Sequence, residues 1–328
     1  MKKTIVFVLL LTLLGSFALP VSAHESYMLY FSEQDSEFSL PAMLGFYFGD
    51  RILEYTDHGL ALDVYADGTL GDAEESLRQV QGIKDNEGVT VDFMLVPVSE
   101  LVNIGAGELS LPALPTTFSS HEAFRAFAES ETATGFLEFP KKNGEKMLCI
   151  AFLELGYEQT VLKAPISSLK DLQGLRYAAD GSLLMPETLT ALGAVPVDMP
   201  QDCAAAFNNN TIDAAEKTLF TYQTEFLQDC APVILMDNHR MDVYALVMSA
   251  DAWRMLTNLE RTCVKLSAID TIEYNVGLVS RQEELQLQAL RDSGVTVIAV
   301  NDSWAAVAEP LVTGYTQPLS SLYAVMHQ

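Results

Sequence analysis

Residues 171–200, DLQGLRYAADGSLLMPETLTALGAVPVDMP, decide the fold class. They read as a strand, a polar turn, a helix and a second strand. Residues 177–179 are short and extended. The turn Asp180-Gly181 puts Ser182 where a helix N-cap belongs. Met185, Leu189 and Leu192 then recur at helical spacing, and Gly193 closes the helix as a C-cap glycine. A helix N-terminus that follows a strand is a place to hold a ligand, often an anion. This turn, however, supplies no Arg or Lys of its own.

The same alternation runs outward in both directions. LALDVY (60–65) alternates as a half-buried strand. A helix follows it, capped by Asp72 with Glu75 three residues later and with Leu77, Val80 and Ile83 on its apolar face. VTVDFMLVP (89–97) is a continuous apolar strand of the kind buried on both faces of a sheet. SSHEAFRAFAES (119–130) is a helix with Ser119 and Glu122 as its capping box, and KMLCIAFLEL (146–155) is a strand. DCAAAFNNNTID (202–213) opens as a short helix, and APVILM (231–236) and VYALVMS (243–249) read as two separate strands. SADAWRMLTNL (249–259) and SRQEELQLQALRDSG (280–294) read as helices, VTVIAV (295–300) as a strand and SWAAVAEPLV (303–312) as a helix. Such alternation implies α/β layers with mainly parallel strands. No internal repeat or low-complexity linker appears, so the chain is expected to cross between its domains several times.

The chain opens like an export leader. Lys2 and Lys3 precede an apolar run over residues 5–19, and Val21-Ser22-Ala23 is a small-residue cleavage site, so the mature chain is expected to begin near His24 in the periplasm. No later stretch approaches the roughly 20 apolar residues of a membrane span. The net charge is −25, or −27 without Lys2 and Lys3, which argues against nucleic acid or an anionic membrane surface as partner. The four cysteines, Cys149, Cys203, Cys230 and Cys263, form no C-x-x-C pair. They admit up to two disulfides or, equally, buried thiols. No metalloprotease, nucleophile-elbow, phosphate-loop or dinucleotide motif occurs. Gly105-Ala106-Gly107 reads as a loop, Ser167-x-x-Lys170 as a polar turn, and the acidic DGTLGD (67–72) as turn chemistry rather than a calcium loop. The reading is therefore of a protein with no catalytic site, no metal and no cofactor.

Seven segments in order resemble one family, the periplasmic solute-binding proteins of TRAP transporters (DctP-type receptors). They are VYADGTLGDAEESLRQVQ, LSLPALPTTFSSHEAFRAF, APISSLKDLQGLRYAADGS, ALGAVPVDMP, AAAFNNNTIDAAE, MDNHRMDVYALVMSADAW and LRDSGVTVIAV, with the closing helix after them. The resemblance implies a type II-like binding protein of two α/β lobes joined by strands and a long helix, closing over a ligand by a hinge motion. It implies a small and a large membrane subunit as partners, no enzymatic activity, and a monomer. Lobe I would comprise residues 24–152 and 244–281, and lobe II residues 153–243 and 282–328, with crossings near Phe152, Tyr244 and Arg281.

The opening segment is where this chain departs from that family. Members that bind organic acids carry an Arg on the strand after Gly-Leu, and the aligned position is Ala178. A second Arg becomes Glu158, a Tyr becomes Ala204 and an Asn becomes Lys217. Arg176, two residues before Ala178 on the same strand face, is the candidate for a displaced clamp. Glu216 and Pro97 complete the candidate cleft. The expectation is a receptor whose ligand is not a simple organic acid, because Ala cannot replace a bidentate Arg without leaving an anion unpaired. One carboxylate and one ammonium, Glu158 and Lys217, would replace the cationic pair, gripping a zwitterion or an amine or closing on each other around an apolar ligand. A larger apolar or amphipathic ligand, or a sensory role in a signalling system, are the alternatives.

Overall fold

The computed structural model describes residues 27–83, 90–102, 107–137, 146–180 and 184–316. The leader with its cleavage site, the Gly105-Ala106 pair and the Ser182 cap lie outside them. In chain order the elements are β1 (Tyr27–Ser32), α1 (Leu40–Tyr55), β2 (Leu60–Tyr65), α2 (Ala73–Val80), β3 (Phe93–Pro97), α3 (His121–Ala128), α4 (Glu131–Leu137) and β4 (Met147–Leu162). Then come β5 (Arg176–Ala179), α5 (Met185–Ala191), β6 (Val195–Asp198), α6 (Cys203–Asn208), β7 (Ala214–Lys217) and α7 (Leu219–Thr224). The chain closes with β8 (Val233–Ser249), α8 (Ala250–Met255), α9 (Asn258–Asp292), β9 (Thr296–Ile298) and α10 (Trp304–Thr316).

The strands lie in the order β2-β1-β3-β8-β4-β7-β5-β6, with β9 added to β8. Pairing is parallel at the two ends and antiparallel where β3, β8, β4 and β7 meet. The two lobes share one hydrogen-bonded ladder because β4 and β8 are long enough to serve both. The C-terminal part of β8 pairs with β3, and its first residues pair with β9. A single apolar cluster fills the first lobe, including Phe31, Phe48, Phe93, Phe124 and Phe152, with Val264, Ile272 and Val279 of α9 against it. The second lobe has a cluster on each side of its strands. Tyr177 and Ala179 face one with Met185 and Leu189, while Ala178 faces the other with Phe207 and Ala215, as strand alternation requires.

Several local expectations shift. APVILM and VYALVMS are parts of one 17-residue strand, β8. SRQEELQLQALRDSG lies at the end of α9, a helix of 35 residues. The buried face of α9 includes Glu260, Ser267, Thr271, Asn275 and Gln286, and these polar residues break the apolar stripe that would have marked its full length. The cap of α3 is Ser120 rather than Ser119, its hydroxyl accepting the Ala123 N–H at 3.0 Å. Asp72 caps α2 as read, accepting from the Glu75 N–H. Helix α5 starts at Met185, after Leu184 in the left-handed region (φ 65). All four cysteines are free thiols.

Where β4 and β8 cross between lobes, both strands slip register. Glu154 pairs with Val243 but Tyr157 with Met241, so β4 carries an extra residue; Glu158 pairs with Arg240 but Thr160 with Leu235, so β8 carries several. Side chains collect the backbone groups this frees. Glu283 of α9 accepts the Tyr157 N–H at 2.7 Å, Glu154 accepts the Gly156 N–H at 3.1 Å, and Asn275 bonds both the N–H and the carbonyl of Glu154. On β8, Gln159 Oε1 accepts the Asp237 and Asn238 N–H groups, each at 3.0 Å. His121 bridges Glu154 and Glu283 at 2.7 and 3.0 Å.

Gly156 sits at φ +105, and a Cβ there would lie 2.5 Å from Glu283 Oε1, whereas Gly174 (φ +77) has nothing within 4 Å of its notional Cβ. Gly156→Ala should therefore cost more than the roughly 1–2 kcal/mol of left-handed strain alone, and Gly174→Ala about that strain only. Urea unfolding of the two variants checks this; equal losses would contradict a crowded bulge.

Candidate functional site

A cavity of about 380 Å³ opens where the long strands cross. One wall is the β1–α1 connection and the start of α1, with Asp35, Phe38 and Pro41; the other is α7 with its flanks, including Thr218, Phe220 and Glu225. Leu155, Asp242 and Tyr244 of the crossing strands form its floor. Asp35, Pro41 and Tyr244 also line a second cavity of about 710 Å³, which runs into the first lobe beside Leu77 of α2 and residues 94–97 of β3. No Lys or Arg lines the first cavity among the described residues, and Arg78 alone lines the second.

Beside this floor lies a buried ionic cluster centred on Arg240 of β8, which is 2 % exposed. Its Nη2 lies 3.0 Å from Asp180, 3.2 Å from Glu216 and 3.7 Å from Glu158. His239, fully buried, bridges Glu216 at 3.2 Å and Asp237 at 3.0 Å and stacks on Trp304, whose indole N–H donates to Asp237 at 2.9 Å. Asp237 also accepts the Thr160 hydroxyl at 2.6 Å. Glu158 Oε2 and Arg240 Nε are buried without a hydrogen-bond partner among the described residues.

These surroundings set the protonation states. Burial pushes the Glu158 carboxyl well up, and the Glu216 charge adds to the push, against the pull of Arg240. Burial likewise raises Asp242 to about 7 despite Arg240. Burial opposes ionisation of Glu216 too, yet Arg240 and His239 together hold it well below the usual carboxylate range. Burial disfavours the charged form of His239, but Asp237 and Glu216 outweigh it and lift the imidazole to about 9. His121 is raised to about 10 in the same way by Glu154 and Glu283.

The candidate residues fall in three places. Glu158 and Glu216 share Arg240. Lys217, also buried, donates to Glu225 at 2.6 Å. The expected Glu158–Lys217 pair is thus divided between two other partners, because side chains of β8 and α7 reach each first. Pro97 lines the larger cavity. Ala178 is fully buried in a second-lobe core cluster, with Ala204 packed against it. Arg176 forks onto Asp213 with two 2.8 Å contacts and bonds the Asn210 carbonyl, so its guanidinium is engaged away from both cavities. Sequence reasoning missed Asp35, Asp180, Glu225, His239, Arg240 and Asp242. The signal that marks three of them is DNHRMD (237–242), a polar run inside what proved to be one strand.

A two-lobed α/β fold with a solute-sized cavity at the crossing of long strands is the architecture of an extracytoplasmic binding protein. The chain belongs to the family of bacterial extracellular solute-binding proteins, family 7 (DctP), which it matches over residues 43–316. It is similar to the C4-dicarboxylate-binding periplasmic protein DctP of Rhodobacter capsulatus, with 23% identity over 245 residues, 74% of this chain and 71% of that protein. In structure it is similar to a TRAP periplasmic solute-binding protein from Ochrobactrum anthropi whose C-terminus is bound in the ligand-binding pocket (TM-score 0.82, 17% identity, 92% of this chain and 95% of that one). It is likewise similar to one from Bradyrhizobium in complex with galacturonate (TM-score 0.80, 22% identity, 92% and 99%). The protein is therefore a solute receptor of that family, and receptors of this family are not enzymes.

Two outcomes follow from the cluster. Arg240→Ala leaves Glu158 and Glu216 buried without their cation and should destabilise the protein by about 3–5 kcal/mol, read from chemical denaturation. For pH, His239 and His121 hold protons in the folded state that the unfolded chain releases near 6.5. Their contribution is full below that value and is lost as pH rises through about 9 and 10. Asp242 acts in the same sense between the ordinary aspartate value of 3.8 and about 7. The melting temperature should accordingly fall steadily from pH 5 to pH 10; a maximum at pH 8 or above would contradict these assignments.

Proposed function

We propose that this receptor captures a solute that is not a simple mono- or dicarboxylate and passes it to the small and large membrane subunits of its transporter. The observation that carries the reading is the lining of the inter-lobe cavity, which holds Asp35, Asp242 and Glu225 and no Lys or Arg among the described residues. The nearby cations are already engaged: Arg240 by three carboxylates and Lys217 by Glu225. An incoming carboxylate would meet like charge in a site with little water, an arrangement that costs several kcal/mol. The reading includes export with cleavage near Ala23, a monomeric receptor, and lobes exchanging chain near Phe152, Tyr244 and Arg281. A larger amphipathic ligand is favoured by one further observation, the adjoining cavity of about 710 Å³ with its Leu77 and residues 94–97.

The test is a thermal-shift assay of the mature protein with succinate, malate, galacturonate and glucuronate. A ligand at a hundred times its dissociation constant adds about 2.7 kcal/mol, a rise in melting temperature of roughly 5–10 °C for a protein of this size. None of the four acids should produce it. A shift of that order with any of them overturns the reading.

A further inference from the structure

We propose that the solute is an organic amine whose ammonium group sits between Asp242 and Glu225 and whose hydrocarbon part passes Pro41 and Tyr244 toward the larger cavity. The proposal rests on the reading of the cleft as the solute site. The cavity is short of positive charge. Asp242 is half-buried on its floor and makes no hydrogen bond or ion pair among the described residues, although Arg240 lies two residues away on the same strand. Among the described residues the Asp35 side chain has no partner either, and Glu225 keeps Oε2 buried and unsatisfied while Oε1 holds Lys217. Closing lobes over a neutral ligand would strand these carboxylates in a drier site; a cation satisfies them. Burial already raises the Asp242 carboxyl, the response of an acid that lacks its counter-charge.

Three more observations narrow the class. Phe38, Phe220 and Tyr244 also line the cavity, and aromatic faces attract an organic cation more than a hydrated inorganic one. A metal ion is the wrong occupant, since no set of His, Cys, Asp or Glu side chains converges to ligate one among the described residues. The way on from Tyr244 and Pro41 leads past Leu77 and residues 94–97, which suit methylene groups, to Glu33, Glu74 and Glu100, which suit a second ammonium.

The experiment is calorimetric titration and thermal shift of the mature protein with butylamine, putrescine, spermidine and choline, alongside succinate, galacturonate and glucose. At least one amine should bind and raise the melting temperature, and Asp242→Asn should weaken it tenfold or more. The unliganded variant should melt at or above the parent, because the substitution removes an uncompensated charge; this separates a lost ligand contact from a lost fold. If no amine binds, the proposal fails whatever else does. Binding of succinate or galacturonate would overturn the proposed function as well, whereas binding of glucose alone would leave that function standing. Amine binding unchanged in Asp242→Asn also overturns it.

Discussion

The structure depends on how two strands cross from one lobe to the other without leaving a backbone group unpaired. A strand can serve two differently oriented sheets only if it twists sharply where it passes between them, and a sharp twist breaks the ladder. Both β4 and β8 break it, and each break is repaired by side chains rather than by more strand. Glu283 and Asn275 repair β4 from α9, Asp237 of β8 accepts the Thr160 N–H of β4, and Gln159 of β4 repairs β8. The long helix is thus more than packing, for it donates the acceptors that make the β4 bulge affordable. Of its buried polar residues Asn275 reaches β4, while Ser267 and Thr271 turn back onto carbonyls of the helix itself.

The second constraint is electrostatic and lies beside the first. Arg240 and His239 stand on the bulged stretch of β8, so the break in the ladder also sets where the cations of the cluster point. Arg240 faces three carboxylates and His239 two, with Glu216 common to both. Charge balance near the cleft is tilted to the negative side before any solute arrives. This tilt is a property of several elements together. Ala178 alone does not create it, since that residue lies in a hydrophobic core and away from the cavity lining.

The regular parts of the fold were legible in the sequence because their signals are local. Alternation gave β2, an apolar run gave β3, and caps such as Asp72 gave helix starts. What was lost is what crosses between lobes. The bulge of β8 interrupts the apolar pattern with DNHRMD, so one strand read as two, and the buried polar face of α9 hid most of a 35-residue helix. The site suffered more. Positions aligned by motif led to Ala178, Ala204 and Arg176, yet a side chain's direction depends on twist and bulge that no motif encodes. Lys217 and Glu158 were read as a pair with each other, whereas the groups they meet, Glu225 and Arg240, come from other elements and are set by tertiary packing.

The stack of Trp304 on His239 gives the molecule a built-in optical probe. The chain has only two tryptophans, and the other, Trp253, lies on the first lobe beneath Arg261 and Lys265. Trp304 alone touches the crossing, with its ring 4.6 Å from an imidazole that is protonated at neutral pH and its N–H tied to Asp237. A protonated imidazole quenches indole emission by accepting its excited-state charge. Deprotonation of His239, or any change that loosens the stack, therefore changes the brightness of one residue against a second that sits elsewhere. The state of the buried cluster can be read in ultraviolet light, with no label attached.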